Sequence, residues 1–259
     1  MKLSSLVEYL DRYLGVADHP DYPGALNGLQ VDAGRDATAG GNEIRRVAVA
    51  VDASIASIRA ASRSAADLLV VHHGIFWGGS KPLVGRHGRR IALLFDSRLS
   101  LYSSHLPLDS HSETGNCALL CEALGLTKEG RLGSYKDKQI GWWGRTPEPI
   151  GPAELVGLLE KVVHGPVGHV PGRGGKIDRV GVVTGSGGGF LEEACNLDLD
   201  ALVTGEAGHH ASLDAKELGI HLLLGGHYAT ETFGVKAIGV HLEERFGIPY
   251  TFIDHPTGF

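Results

Sequence analysis

The chain has 259 residues, 42% hydrophobic and 21% charged, enough to bury one large core or two of ordinary size. Its net charge of −6, with no basic block, lacks the electrostatic footprint of a non-specific nucleic-acid binder. No apolar run approaches the roughly 20 residues that span a bilayer, and MKLSSLVEYLDRYLG carries acidic residues and helical spacing where a signal peptide would have its apolar core. Cys117, Cys121 and Cys195 are odd in number and form no CxxC pair, which fits small core residues in a reducing compartment, so a cytoplasmic protein is expected.

Residues 4 to 14 place Leu6, Leu10, Tyr13 and Leu14 on one helical face, with Ser4 or Ser5 as cap and Gly15 as stop. A loop with HPDYPGALNGLQV follows, then the polar stretch GRDATAGGNE. From Arg46 the pattern alternates: strand Val47 to Val51, helix capped by Asp52, strand Leu68 to Val71, helix near Arg89 to Phe95, strand Leu99 to Ser103. Alternation on this scale predicts parallel or mixed sheets with crossover helices. The cluster Lys81, Arg86, Arg89 and Arg90 is read as a solvated face.

A helix over about Asn116 to Leu124 leads to the polar run TKEGRLGSYKDK, expected to be an interdomain connection. QIGWWGRT then reads as a strand, Pro152 to Val163 as a helix with proline in its first turn, PVGHV as a strand and PGRGGKID as a loop. Trp142 and Trp143 are read as core or interface residues, not as a base-stacking pair.

The second half repeats the first. RRVAVAVDAS matches DRVGVVTGSG, with Val47 on Val180, and the same offset sets ADLLVVHH against LDALVTGE, with Asp67 on Asp200 and His73 on Glu206. At a second offset LSLYSSHLPLD matches IHLLLGGHYATE, so His105 meets His227 and Asp109 meets Glu231, and Gly125 meets Gly247. This is the signature of an internal duplication.

The chemistry concentrates at strand ends, where open α/β sheets keep their ligand crevices. His72 and His73 close an aliphatic run, and each half offers a histidine and a carboxylate four residues apart. Adjacent residues of a regular strand point to opposite faces, so His72 and His73 share a site only if the strand has ended or kinked at Gly74. If Thr230 and Glu231 open a helix, His227 lies just before it. Imidazole mixed with carboxylate suits divalent ions such as zinc, iron, manganese, nickel or cobalt, and does not suit an all-oxygen calcium cage. A pair of such ions is expected, since two ions sharing a carboxylate are a common device for activating water. GSGGG at 185–189 occupies the same strand-to-helix turn as DASIA, so its glycines are read as turn residues before a phosphate cradle.

VVHHGIFW, SSHLPLDSHSETGN, TGE and GGHYATE, with NGLQV near the start, resemble the NIF-three-like family, also called GTP cyclohydrolase 1 type 2 homologues. The resemblance implies an α/β fold of two similar domains, mixed sheets flanked by helices, with a dinuclear site in the cleft between them. It also implies a toroidal homohexamer. Carried over by motif, His72, His73, Asp109, His227 and Glu231 resemble the metal ligands, with Glu231 as the bridge. His105 matches a pocket histidine with a second-shell or proton-transfer role, and Glu206 is a second candidate for moving protons. The chain resembles the compact form, because residues 128–176 are too short for the domain that longer relatives insert. The expected domains are 1–127, carrying His72, His73 and Asp109, and 128–259, carrying His227 and Glu231. His209 and His210, in TGEAGHH, depart from the family pattern and are read as surface or pocket rim.

Two functional classes follow. The first is a metal-dependent hydrolase acting on a nucleotide or another small molecule with a cyclic C–N bond, holding two divalent metal ions per chain. The second is a metal-handling or scaffold protein whose ring binds a partner. Nucleic-acid binding in a ring channel ranks last, because it needs a basic lining and the total charge is acidic.

Overall fold

The computed structural model describes residues 1–34 and 43–258; most of the GRDATAGGNE stretch lies outside the described residues. In chain order the elements are α1 (Leu3–Leu14), β1 (Gly28–Val31), β2 (Val47–Asp52), α2 (Ile55–Arg63), β3 (Leu68–His73), α3 (Gly85–Ser97), β4 (Ser100–Ser103), α4 (Leu106–Ser110), α5 (Asn116–Ala123), β5 (Thr127–Tyr135) and β6 (Lys138–Ile150). There follow α6 (Pro152–Val163), β7 (Gly168–Val170), β8 (Ile177–Val183), α7 (Leu191–Asn196), β9 (Ala201–Thr204), α8 (His209–Leu218), β10 (His221–Leu224), α9 (His227–Thr230), α10 (Thr232–Phe246) and β11 (Tyr250–Phe252).

The chain packs as two compact units, residues 1–108 with 234–255, and residues 109–233 with 256–259. The expected boundary after residue 127 therefore falls inside the second unit. Two contacts explain the difference. Leu120, Cys121 and Leu124 of α5 and the turn after it bury against Val180 and Val182 of β8 and Leu155 and Leu159 of α6. At the other end, β11 pairs in parallel with β2 of the first unit.

In the first unit the strand order is β1-β4-β3-β2-β11. β2, β3 and β4 are parallel and almost wholly buried, which is why their aliphatics run without alternation. Ala48, Leu69, Val71 and Leu101 meet Ile58 of α2 and Leu94 of α3 in the core on one face. Ser54 and Ser57 form a reciprocal capping box that starts α2. α1 buries Leu3, Leu6, Leu10 and Leu14, as its spacing predicts, and Gly15 ends it in the left-handed region.

In the second unit the order is β5-β6-β8-β9-β10-β7, with β8, β9 and β10 parallel. The duplication is visible here: β2-β3-β4 and β8-β9-β10 are the same three-strand core, each with an antiparallel strand, β1 or β7, on its last member. The repeat extends to single hydrogen bonds. Asp67 Oδ2 accepts the backbone N–H of Arg45 and Arg46, and Asp200 Oδ2 accepts those of Asp178 and Arg179. Each aspartate thus ties the start of one core strand to the start of the next.

TKEGRLGSYKDK is not a connection but β5 and the turn of a hairpin, paired antiparallel with β6, with Lys136 in the left-handed region at the turn. Its polar residues reflect an edge strand with only Leu132 and Gly133 buried. α3 starts earlier than expected, at Gly85, and β3 runs on through His72 and His73. Among the described residues no helix is long and apolar enough to cross a membrane.

Candidate metal centre

The carboxyl ends of the parallel strands in the first unit carry three histidines that converge. One ring nitrogen from each of His72, His73 and His105 lies within 4.8 Å of the others. β3 ends at His73, which still pairs with Asp52, and strand pairing stops at Gly74; the two adjacent imidazoles are 4.6 Å apart between centroids. His105 stands just after β4 and before α4, its ring 5.0 Å from that of His72.

Each of these rings uses the same atom for support. His72 Nδ1 donates to the carbonyl of Ser104 at 3.0 Å, His73 Nδ1 to Asp52 Oδ1 at 2.9 Å, and His105 Nδ1 to Asp21 Oδ1 at 2.8 Å. A carbonyl or carboxylate oxygen accepts, so Nδ1 holds a hydrogen in each ring and Nε2 is the nitrogen suited to a metal. A metal-ligating histidine is held in this way, its tautomer and ring orientation fixed by an acceptor on the other nitrogen. Asp21 is itself firmly set: its carboxylate also accepts from Asn27 Nδ2 and from the N–H of Tyr22 and Leu106. Burial would raise its pKa, but the hydrogen bond and charge of His105, with those from Asn27 and Tyr22, hold it below the usual carboxylate value.

In the second unit the donors are Asp109, His227 and Glu231. Glu231 does not open a helix as expected. His227 begins the single turn α9, and Glu231 follows that turn before α10 starts. Four residues apart on a helical turn, the two side chains lie on one side, with His227 Nε2 at 3.2 Å from Glu231 Oε1. Two ligands about 2.0–2.2 Å from one ion would be separated by a similar distance. His227 Nδ1 is 3.0 Å from Glu206 Oε1, which repeats the support that Asp52 gives His73. Burial opposes a charge on His227, yet the hydrogen bonds and charges of Glu231 and Glu206 outweigh it and lift its pKa to about 9.

Asp109 is buried, and its Oδ1 accepts from Asn116 Nδ2 at 2.9 Å and from the Thr184 hydroxyl at 3.1 Å. Cys117 Sγ stands 3.3 Å behind that hydroxyl. These partners lie on α5 and after β8, which is why Asp109 packs with the second unit although the duplication aligned it within the first half.

The GSGGG turn makes room for this arrangement. A Cβ on Gly185 would lie 2.2 Å from Glu231 Oε1, and Gly185 has φ +62°, which favours glycine in any case. The N–H of Gly187 is already taken by Thr204 Oγ1. His209 and His210 are exposed at the start of α8, and among the described residues neither belongs to a donor cluster. Trp142 and Trp143 are packing residues: Arg131 covers the first ring at 4.2 Å and Arg179 the second at 4.5 Å, with both half-buried against core clusters.

The histidines, Asp109 and Glu231 stood out in the sequence by their spacing; Asp21, Asp52, Asn116 and Thr184 did not. Asp52 had one usable signal, its position at the carboxyl end of the strand beside β3. Asp21 had none, being far from His105 in the chain.

Comparison with known proteins agrees with this architecture. The sequence profile of the family described as Duf34/NIF3 (NGG1p interacting factor 3) matches residues 1–257. A Deinococcus radiodurans protein named GTP cyclohydrolase 1 type 2 homolog is 41% identical over 98% of this chain and 93% of its own length. A Halobacterium salinarum protein of the same name is 41% identical over the whole of both chains. A crystal structure of a Thermus thermophilus protein superposes with a TM-score of 0.89 at 39% identity, covering all of both chains. The chain belongs to the Duf34/NIF3 family.

Proposed function

We propose that this protein is a metal-dependent hydrolase in which His72, His73, His105, Asp109, His227 and Glu231 hold two divalent ions. The observation that carries the reading is the uniform support of the imidazoles: all four candidate histidines have an oxygen acceptor on Nδ1. A structural histidine needs no such uniformity, whereas a ligand needs its tautomer fixed. Six donors shared by two ions would leave coordination positions open, as a catalytic site requires. Glu231, with two oxygens, is the carboxylate suited to bridging.

The ions would supply Lewis-acid polarisation of the scissile C–N or carbonyl group and activation of water. The chain supplies the rest. Ser104, Asp52, Asp21 and Glu206 hold the rings in place. His105, backed by Asp21, serves here as a donor: with Nδ1 on Asp21 and Nε2 given to an ion it has no ring nitrogen left to carry a proton. Glu206, whose side chain is 46% exposed, is the residue we assign to passing a proton to solvent. The substrate class in this reading is a nucleotide or a related small molecule with a cyclic C–N bond; the curated relatives carry the name GTP cyclohydrolase 1 type 2 homolog. A ring-shaped oligomer and a reducing, cytoplasmic setting complete it; the three cysteines are free thiols.

The test is turnover by metal-loaded protein of GTP and related nucleotides, followed by chromatography of the products, beside metal analysis of the same sample. Ring-opened product supports the hydrolase. Bound ions with no turnover of any nucleotide would leave the second class, a metal-handling or scaffold protein.

A further inference from the structure

Two aromatic side chains stand at the histidine cluster of the first unit. The ring of Trp77 meets His105 edge-on, 4.9 Å between centroids at 83°, and lies 6.0 Å from His73. Tyr22 meets the same His105 ring at 5.6 Å. The indole N–H of Trp77 donates to the carbonyl of Gly74, which fixes the ring. The two loops that carry these residues are packed backbone to backbone: a Cβ on Gly24 would lie 2.5 Å from the nitrogen of Gly78, and Leu26 N–H donates to Phe76 carbonyl. Even so, Tyr22 is 46% exposed. A half-exposed tyrosine ring beside this cluster can lie against the ring of a ligand.

The chain that follows Trp77 is basic. Lys81, Arg86, Arg89 and Arg90 precede or open α3, whose first turns are set beside these loops by the contact of His87 with Phe76, 5.5 Å between ring centroids. Arg90 is also within electrostatic reach of Asp52, the carboxylate behind His73. Among the described residues none of these four cations has a hydrogen bond or ion pair. Arg86 and Arg90 are four apart on one helix face, where like charges repel, and Arg90 is partly buried as well. Asp52 answers Arg90, while Lys81, Arg86 and Arg89 are exposed cations beside it in a chain whose net charge is −6, and together they would attract an anion.

We propose that this rim of the first unit recognises a planar heterocycle bearing an anionic group, with Trp77 and Tyr22 against the ring and Arg86 and Arg90 on the anion. The inference rests on the hydrolase reading above and names the part of the substrate that the chain itself grips. Lys81 and Arg89 add long-range attraction.

Calorimetric titration of the metal-loaded protein with guanosine 5′-monophosphate, guanosine and ribose 5-phosphate tests it. The nucleotide is expected to bind more tightly than either fragment. Trp77→Leu should weaken the nucleotide and guanosine about tenfold, a usual loss for one stacking contact, and leave ribose 5-phosphate unchanged. The double variant Arg86→Gln/Arg90→Gln should weaken the nucleotide and ribose 5-phosphate and leave guanosine unchanged. Tyr22→Ala, at an exposed position, gives the ring test without risk to folding. Nucleotide affinity unchanged in Tyr22→Ala and in the arginine double variant, or no preference of the wild type for nucleotide over ribose 5-phosphate, would overturn the proposal. Metal content is read on each sample: full ions with no ring or anion selectivity refutes this recognition site alone, and absent ions refute the metal reading.

Discussion

Asp21 Oδ1 lies 2.8 Å from His105 Nδ1, a contact between residues 84 positions apart that joins an N-terminal loop to the end of β4. It gives His105 the carboxylate that Asp52 gives His73 and Glu206 gives His227. The same aspartate accepts from Asn27 and two backbone N–H groups, so its geometry does not depend on the histidine alone.

Asp21→Asn replaces one acceptor oxygen by a donor that must face N–H groups, and it disturbs the ring of His105. Affinity for a divalent ion should fall roughly 10–100-fold, the usual effect of losing such a partner. Competition titration against a chelator measures it. An affinity equal to that of the wild type would show that His105 holds no ion.

Thr184→Val removes the hydroxyl that donates to Asp109 Oδ1 while keeping the shape of the side chain. Asp109 is buried, so the loss should cost about 1.5–3 kcal/mol in urea unfolding and reduce metal retention. Thr184→Ser should restore both. If Thr184→Val retains metal and stability, the cradle of Asp109 is Asn116 alone.

Asp67 and Asp200 make equivalent pairs of hydrogen bonds, but one of those made by Asp67 is exposed and both made by Asp200 are partly buried. Each Asp→Ala variant should be destabilised, Asp200→Ala by more, on the scale of about 1.5–3 kcal/mol for a bond to a charged group. Equal or reversed losses in denaturant titration would contradict the assignment of exposure.

Burial and the Asp109 carboxylate push the Cys117 thiol up to about 12, and burial pushes Cys121 higher still. Thiolates are the reactive form, so at pH 8 iodoacetamide should label Cys195 in the native protein and leave the other two thiols intact. Mass spectrometry of digests reads this directly. Native-state labelling of Cys117 at the rate of Cys195 would mean that α5 opens readily.

Much of this was readable in the sequence because parallel strands are buried on both faces and announce themselves as aliphatic runs. Val47 to Val51, Leu68 to Val71 and their repeats at Val180 and Leu202 are such runs, and the polar residues closing them marked the donors. β5 was not readable, because Gly130 and Gly133 weaken strand propensity and an edge strand carries little apolar pattern. The supporting residues were hidden for a different reason. Asn116 and Thr184 reach Asp109 from separate elements, and no local pattern records a contact made only by the folded chain.

Metal analysis of purified protein, with anomalous diffraction at the absorption edge, tests for the pair of ions. Two divalent ions per chain are expected, bound by Nε2 of the histidines and by Asp109 and Glu231, with metal content lowered in folded His73→Ala and Glu231→Ala variants. Unchanged metal content in both variants, or ions bound away from these residues, would contradict it.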